Sequence, residues 1–169
     1  MINSPFELPQ EDNNPISTFE EIVNEQDWAV DPRSSENSLT FSVKGKVASY
    51  TIHMEWQEEF AALLFACVIE MEVAEKHKTH AAEVLARLNE SLWLGHFDFS
   101  TEGTLPTLRH TMLLRGIPPQ VSAELMTDLT DLAVAECDRF HSTFKMLSSG
   151  DIRTRDTLSA AVFETIGEA

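Results

Sequence analysis

Six histidines, two cysteines and 28 carboxylates are the side chains of this sequence that could do chemistry. His77 and His80 stand three apart near a helix start, with Glu75 and Glu83 close by. One helical turn can present two such ligands on one side, but a zinc site needs three or four. No further ligand is fixed by spacing, so these read as solvated surface histidines. His110 falls on an otherwise apolar strand face, where a hydrogen-bonded core histidine is expected rather than a ligand or base. His53 shares a polar strand face with Thr51 and Glu55. Cys67 and Cys137 lie in apolar segments and form no close pair, as buried free thiols in a reducing compartment would. No base or cation stands next to either thiol in the sequence to activate it as a nucleophile. The sequence has no G-x-S-x-G elbow, no G-x-G-x-x-G and no P-loop. So many acids guarantee pairs such as Glu20–Glu21 and Glu58–Glu59. No catalytic residue, cofactor-binding residue or metal ligand is nominated, and no enzymatic activity is expected.

At 169 residues and 19.0 kDa, the chain fits one domain that buries roughly two-thirds of its unfolded surface. A hydrophobic fraction of 43% suffices for a core. Net charge is −16, which repels phosphate backbones and anionic membranes. No basic stripe offsets it, because Arg109, Arg115, Arg153 and Arg155 are scattered. Such charge either keeps a small protein soluble or offers an acidic face to a basic protein partner. The N-terminus "MINSPFELPQEDNNP" has neither a basic n-region nor an apolar h-region, and no apolar run reaches the roughly twenty residues of a spanning helix. A cytoplasmic protein is expected.

The elements that must position any site follow from periodicity. Residues 1–14 hold Pro5, Pro9, Asn13 and Asn14 and are expected to form a flexible leader, with a single domain over 15–169. Ile16, Phe19, Ile22 and Val23 recur at helical spacing, with a capping box from Ser17 to Glu20 and an end near Asp27. "LTFSV" and "VASYTIHMEW" then alternate with period two around "KGK", which predicts a hairpin. "THAAEVLARLNESLW" returns to helical spacing, with Thr79 as N-cap and Gly95 as stop. "HFDFS" and "TLRHTMLLR" flank the turn "TEG" as a second hairpin. From Pro118–Pro119 to Leu147 one long amphipathic helix is predicted, and "TRDTLSAAVFETIGEA" suits a final short helix. Trp28, Trp56, Trp93, Phe97, Phe99, Phe140 and Phe144 read as core.

Between the two hairpins lies "WQEEFAALLFACVIEMEV", with ten consecutive residues lacking a polar side chain, Phe60 to Ile69. Ala61, Leu63, Phe65, Cys67 and Ile69 would line one face of a strand. Phe60, Ala62, Leu64, Ala66 and Val68 would line the other. Following two strands at hairpin distance, the segment reads as the third strand of a meander, central and covered at least partly on both faces. The class is therefore α+β, an antiparallel sheet of a three-strand meander plus a hairpin with helices packed on it. Helices on one face leave Phe60, Ala62, Leu64, Ala66 and Val68 to be covered by something else. A second copy of the chain, or a terminal helix wrapping round, would do so.

In "VIEMEV", "HAAEVLARLNESLWLGHFDF", "GTLPTLRHTMLLRG" and "AVAECDRFHSTFKML", the order of features resembles the YbjN family of small bacterial proteins, over about residues 15 to 150. The markers are Glu70-Met71-Glu72 near the third strand, Leu88-Asn89 and Trp93 at a helix end, and Gly95 before a Phe-containing strand. Glu136, Arg139, Phe140 and Phe144 follow on the long helix. The resemblance implies a fold like that of type III secretion chaperones, an α+β sandwich that commonly dimerises. Its members are labelled sensory transduction regulators, and no catalytic or ligand residue carries over. Two functions are open from here. One is a non-enzymatic, dimeric protein-binding or regulatory module holding an extended or helical partner segment of basic character. The other is a small-molecule sensor or minor enzyme whose pocket lies between the sheet and the long helix, lined by His53, His110 and aromatics.

Overall fold

The computed structural model describes residues 14–26, 28–99 and 103–150. The leader up to Asn13, residues 101–102 of the "TEG" turn and the helix expected after residue 153 lie outside them. Strand alternation becomes a sheet where neighbours take the backbone hydrogen bonds, and among the described residues six strands do so. They are β1 (Ala29–Val30), β2 (Ser38–Lys44), β3 (Ser49–Gln57), β4 (Ala62–Val68), β5 (His96–Phe99) and β6 (Pro106–Leu113). All pairs are antiparallel, in the order β1-β2-β3-β4-β6-β5. The expected meander and hairpin are thus one sheet, because β6 inserts between β4 and β5. The two-residue β1 was not anticipated; it is too short to show a period. Among the described residues four helices complete the α+β fold: α1 (Ile16–Glu25), α2 (Lys78–Ser91), α3 (Pro119–Arg139) and α4 (His141–Ser149). No helix among the described residues is long and apolar enough to cross a membrane.

One register line runs Val30–Phe41–Ile52–Cys67–Leu108–Phe97 across all six strands. Alternation puts this line, with Leu39, Met54, Trp56, Leu63 and Phe65, on the face that receives the helices. α1 lays Phe19 edge-on to Phe41 at 5.7 Å, while Trp28 stacks on the same ring at 5.4 Å. From α3, Met126, Leu129, Ala133 and Cys137 are buried. Cys67 and Cys137, expected apart, meet with their sulfurs 3.5 Å from each other. Sequence separation hid this, since only the docking of α3 over the central strand brings them together. The hydrogen bond to Cys67, then burial, pushes the Cys137 thiol well above its ordinary range, which keeps it protonated.

Several local expectations fail for identifiable reasons. The long helix breaks at Phe140, whose backbone sits at φ −97°, ψ 6°. The apolar period runs through the break because Phe140 and Phe144 both reach Phe97, at 5.9 and 5.0 Å. The capping box does not form, because the Glu20 carboxylate instead accepts from Arg33 Nη1 at 2.8 Å. Asn14 Oδ1 accepts the Ile16 N–H, and Pro15 occupies the N-cap. α2 begins at Lys78, one residue before the expected cap, after a 3-10 turn over Glu75–His77. Trp93 is 72% exposed in the link from α2 to β5 rather than in the core.

Two side chains fasten sheet to helix. Asp138, near the end of α3, accepts from the Lys46 N–H at 2.6 Å, the Val47 N–H at 3.3 Å and the Tyr50 hydroxyl at 2.7 Å. It thereby ties down the β2–β3 turn. Gly45 belongs there because a Cβ would lie 2.6 Å from an Asp138 oxygen. Asn89 of α2 donates to the Phe97 carbonyl at 3.0 Å and accepts the Phe97 N–H at 2.7 Å. It stands in for a neighbouring strand on edge strand β5, which blunts that edge against other chains.

Candidate functional site: the open face of the sheet

α1, α3 and α4 meet the sheet through core-face residues such as Phe41, Cys67 and Phe97. The opposite face carries the alternate residues. On it, Thr40, His53, Ala66, Arg109 and His96 are register neighbours across five strands. Ser38, Glu55, Leu64 and Thr111 form the next line. Together these nine residues line a basin of about 620 Å³, within the size range of small-ligand sites.

The five residues nominated from sequence divide. Leu64, Ala66 and Val68 do form an apolar column on this face, with Leu64 39% exposed and the other two half-buried. Ala62 shares their alternation but is buried. Phe60 is not in the strand: it ends a 3-10 turn over Glu58–Phe60 and is 57% exposed. Ala61 follows at φ 48°, and that left-handed residue lets the chain reverse into β4. The apolar run therefore begins in a turn, and only seven of its residues are strand.

Polar groups surround the column. The Thr40 hydroxyl and His53 Nδ1 are 3.0 Å apart. Arg109 Nε donates to both oxygens of Asp98, at 2.8 and 3.0 Å, and His96 Nε2 stands 3.9 Å from Asp98. Gln57 Nε2 donates to Glu55 at 2.6 Å on the rim. His110 alternates to the core side, where burial and then His96 hold its pKa below the usual imidazole range. His53 and His110 both border the basin, but it opens on the face lined by Thr40, Ala66 and Arg109 rather than between sheet and long helix. Sequence reasoning missed Arg109 as a neighbour of Ala66, because no local signal says that β6 lies beside β4.

The formal charges on this face are Lys44 and Arg109 against Glu55 and Asp98, two of each sign, in a chain of net charge −16. Among the described residues no group of three or more His, Cys, Asp or Glu is placed to hold a metal ion. His80, read with His77 as a surface histidine, stands 3.8 Å from Glu83.

Comparison with known proteins adds the following. Residues 15–146 match the YbjN family, described as "Putative bacterial sensory transduction regulator". No curated protein matches. Among solved structures, the crystal structure of YbjN from E. coli, described as "a putative transcription regulator", is similar with a TM-score of 0.52. The identity is 10%, over 75% of this chain and 91% of that one. At that identity the likeness concerns the fold.

Proposed function

This chain belongs to the YbjN family, and from that premise we propose a non-enzymatic regulatory module that works by binding protein, first a second copy of itself through the open sheet face. The supporting observation is the pairing of an apolar column, Leu64, Ala66 and Val68, with balanced charge. Two bodies of charge −16 repel each other at long range. They can close only where the facing surfaces are locally neutral and gain by expelling water. A two-fold axis near Leu64 would set each column against its counterpart and leave no open end for further growth. The acidic remainder of the surface suits a basic segment of another protein, since charge complementarity sets partner choice and speeds encounter.

Light scattering at micromolar concentration tests the dimer. Wild-type protein is expected at twice its 19.0 kDa. Leu64→Asp places a carboxylate from each copy at the axis and should weaken self-association by about thirtyfold, on the scale of a lost hot spot. Its far-UV circular dichroism should stay unchanged, because Leu64 points away from the core. A wild-type species fixed at 19.0 kDa would overturn the dimer.

A further inference from the structure

We propose that the basin on the open face is a seat for a small organic monocarboxylate, its charged end held between Arg109 and His53 over the methyl of Ala66. Three observations converge on that spot. Arg109 spends Nε on Asp98, and its Nη1 and Nη2 have no hydrogen-bond partner among the described residues. The salt link fixes the guanidinium plane, and a guanidinium matches a carboxylate in geometry as well as charge. His53 Nδ1 is engaged by the Thr40 hydroxyl. When that hydroxyl donates, the neutral ring carries its proton on Nε2 and is a second donor. Between these donors the register places Ala66. His53 and Arg109 stand two strand spacings apart, about 10 Å, and a methyl does not fill that gap.

The same geometry selects the ligand. Asp98 offsets the Arg109 charge and Glu55 stands on the rim, so a doubly charged phosphate would meet more repulsion than a single carboxylate. Leu64, next on this face of β4 and 39% exposed, offers an apolar floor to a short aliphatic body. Every contributing side chain belongs to one chain, but Leu64 and Ala66 also belong to the column set against the second copy, so the ligand and the second copy compete for this face.

Butyrate and inorganic phosphate are the probes, titrated into full-length, isotope-labelled protein and followed by amide chemical shifts, with molecular mass measured on the same samples. Butyrate should give saturable shifts confined to β3, β4, β6 and the Arg109 side chain. Arg109→Gln, and Ala66→Leu, which fills the gap without altering charge, should each weaken binding by about tenfold, the scale of one charge-assisted hydrogen bond. Lys44→Gln, on the same face but outside the basin, should leave it unchanged. No saturable butyrate shift in the wild-type protein overturns the seat, and phosphate binding as tightly as butyrate overturns the choice of ligand. A monomeric protein that still binds butyrate would sink the dimer and leave the seat standing.

Discussion

Phe97→Ala is expected to lower the unfolding free energy by about 4 kcal/mol, the upper range for truncating a buried aromatic. Phe97 is 2% exposed, although it lies on edge strand β5. Its ring meets Phe140 edge-on at 5.9 Å and Phe144 at 5.0 Å. Phe140 is the break between α3 and α4 and Phe144 lies one turn into α4, so one ring holds the joint at which the helix turns. Removing it leaves a cavity against two fixed neighbours and loosens α4 as well as β5. Urea denaturation with equal slopes for variant and wild type measures the loss. His96→Ala, one residue earlier and exposed, should change stability by less than about 0.5 kcal/mol. A similar small change for Phe97→Ala would mean that the aromatic trio does not organise the joint.

Asp138→Ala should cost about 3 kcal/mol, because one carboxylate satisfies two backbone amides and a phenol and hydrogen bonds to charged acceptors are the stronger kind. Tyr50→Phe removes only the phenol and should cost about 1 kcal/mol. The sign of the pH effect follows from the same contact. Burial first, then the bond to Asp138, raises the Tyr50 pKa far above its ordinary value of 10.0. A group whose folded pKa exceeds its unfolded one contributes stability that is complete below the unfolded pKa. That contribution is lost as pH climbs past about 10. Wild-type stability should therefore fall above that pH while Tyr50→Phe escapes this part of the fall. Parallel decline of the two proteins would remove Tyr50 from the account.

The α+β class and five of the six strands were legible because alternation in "LTFSV" and "SYTIHMEW" is a local property that burial then obeys. The family was legible in the order of weak markers such as Glu70-Met71-Glu72 and Trp93, although Trp93 itself is solvent-exposed. Non-local facts were invisible. Nothing near Cys67 announces Cys137, and nothing in "TLRHTMLLR" announces that Arg109 will stand beside Ala66. The break at Phe140 escaped notice because a helix that bends while burying the same side keeps its apolar period. Phe60 misled for the converse reason: an apolar side chain in a turn continues a hydrophobic run without belonging to the strand. Leu64, Ala66 and Val68 follow from strand alternation as one column, and the polar residues that frame it required the sheet order.

Leu64 on the open face is 39% exposed in a single chain, while Leu125 and Leu132 on α3 are each 37% exposed. These near-equal exposures make them internal standards. Methyl relaxation enhancement by a neutral, soluble paramagnetic chelate reads which of them solvent can reach. If two copies close over the open face, Leu64 methyls will be protected while Leu125 and Leu132 methyls broaden. Leu64 broadened to the same extent as those two would contradict the covered sheet on which this account rests.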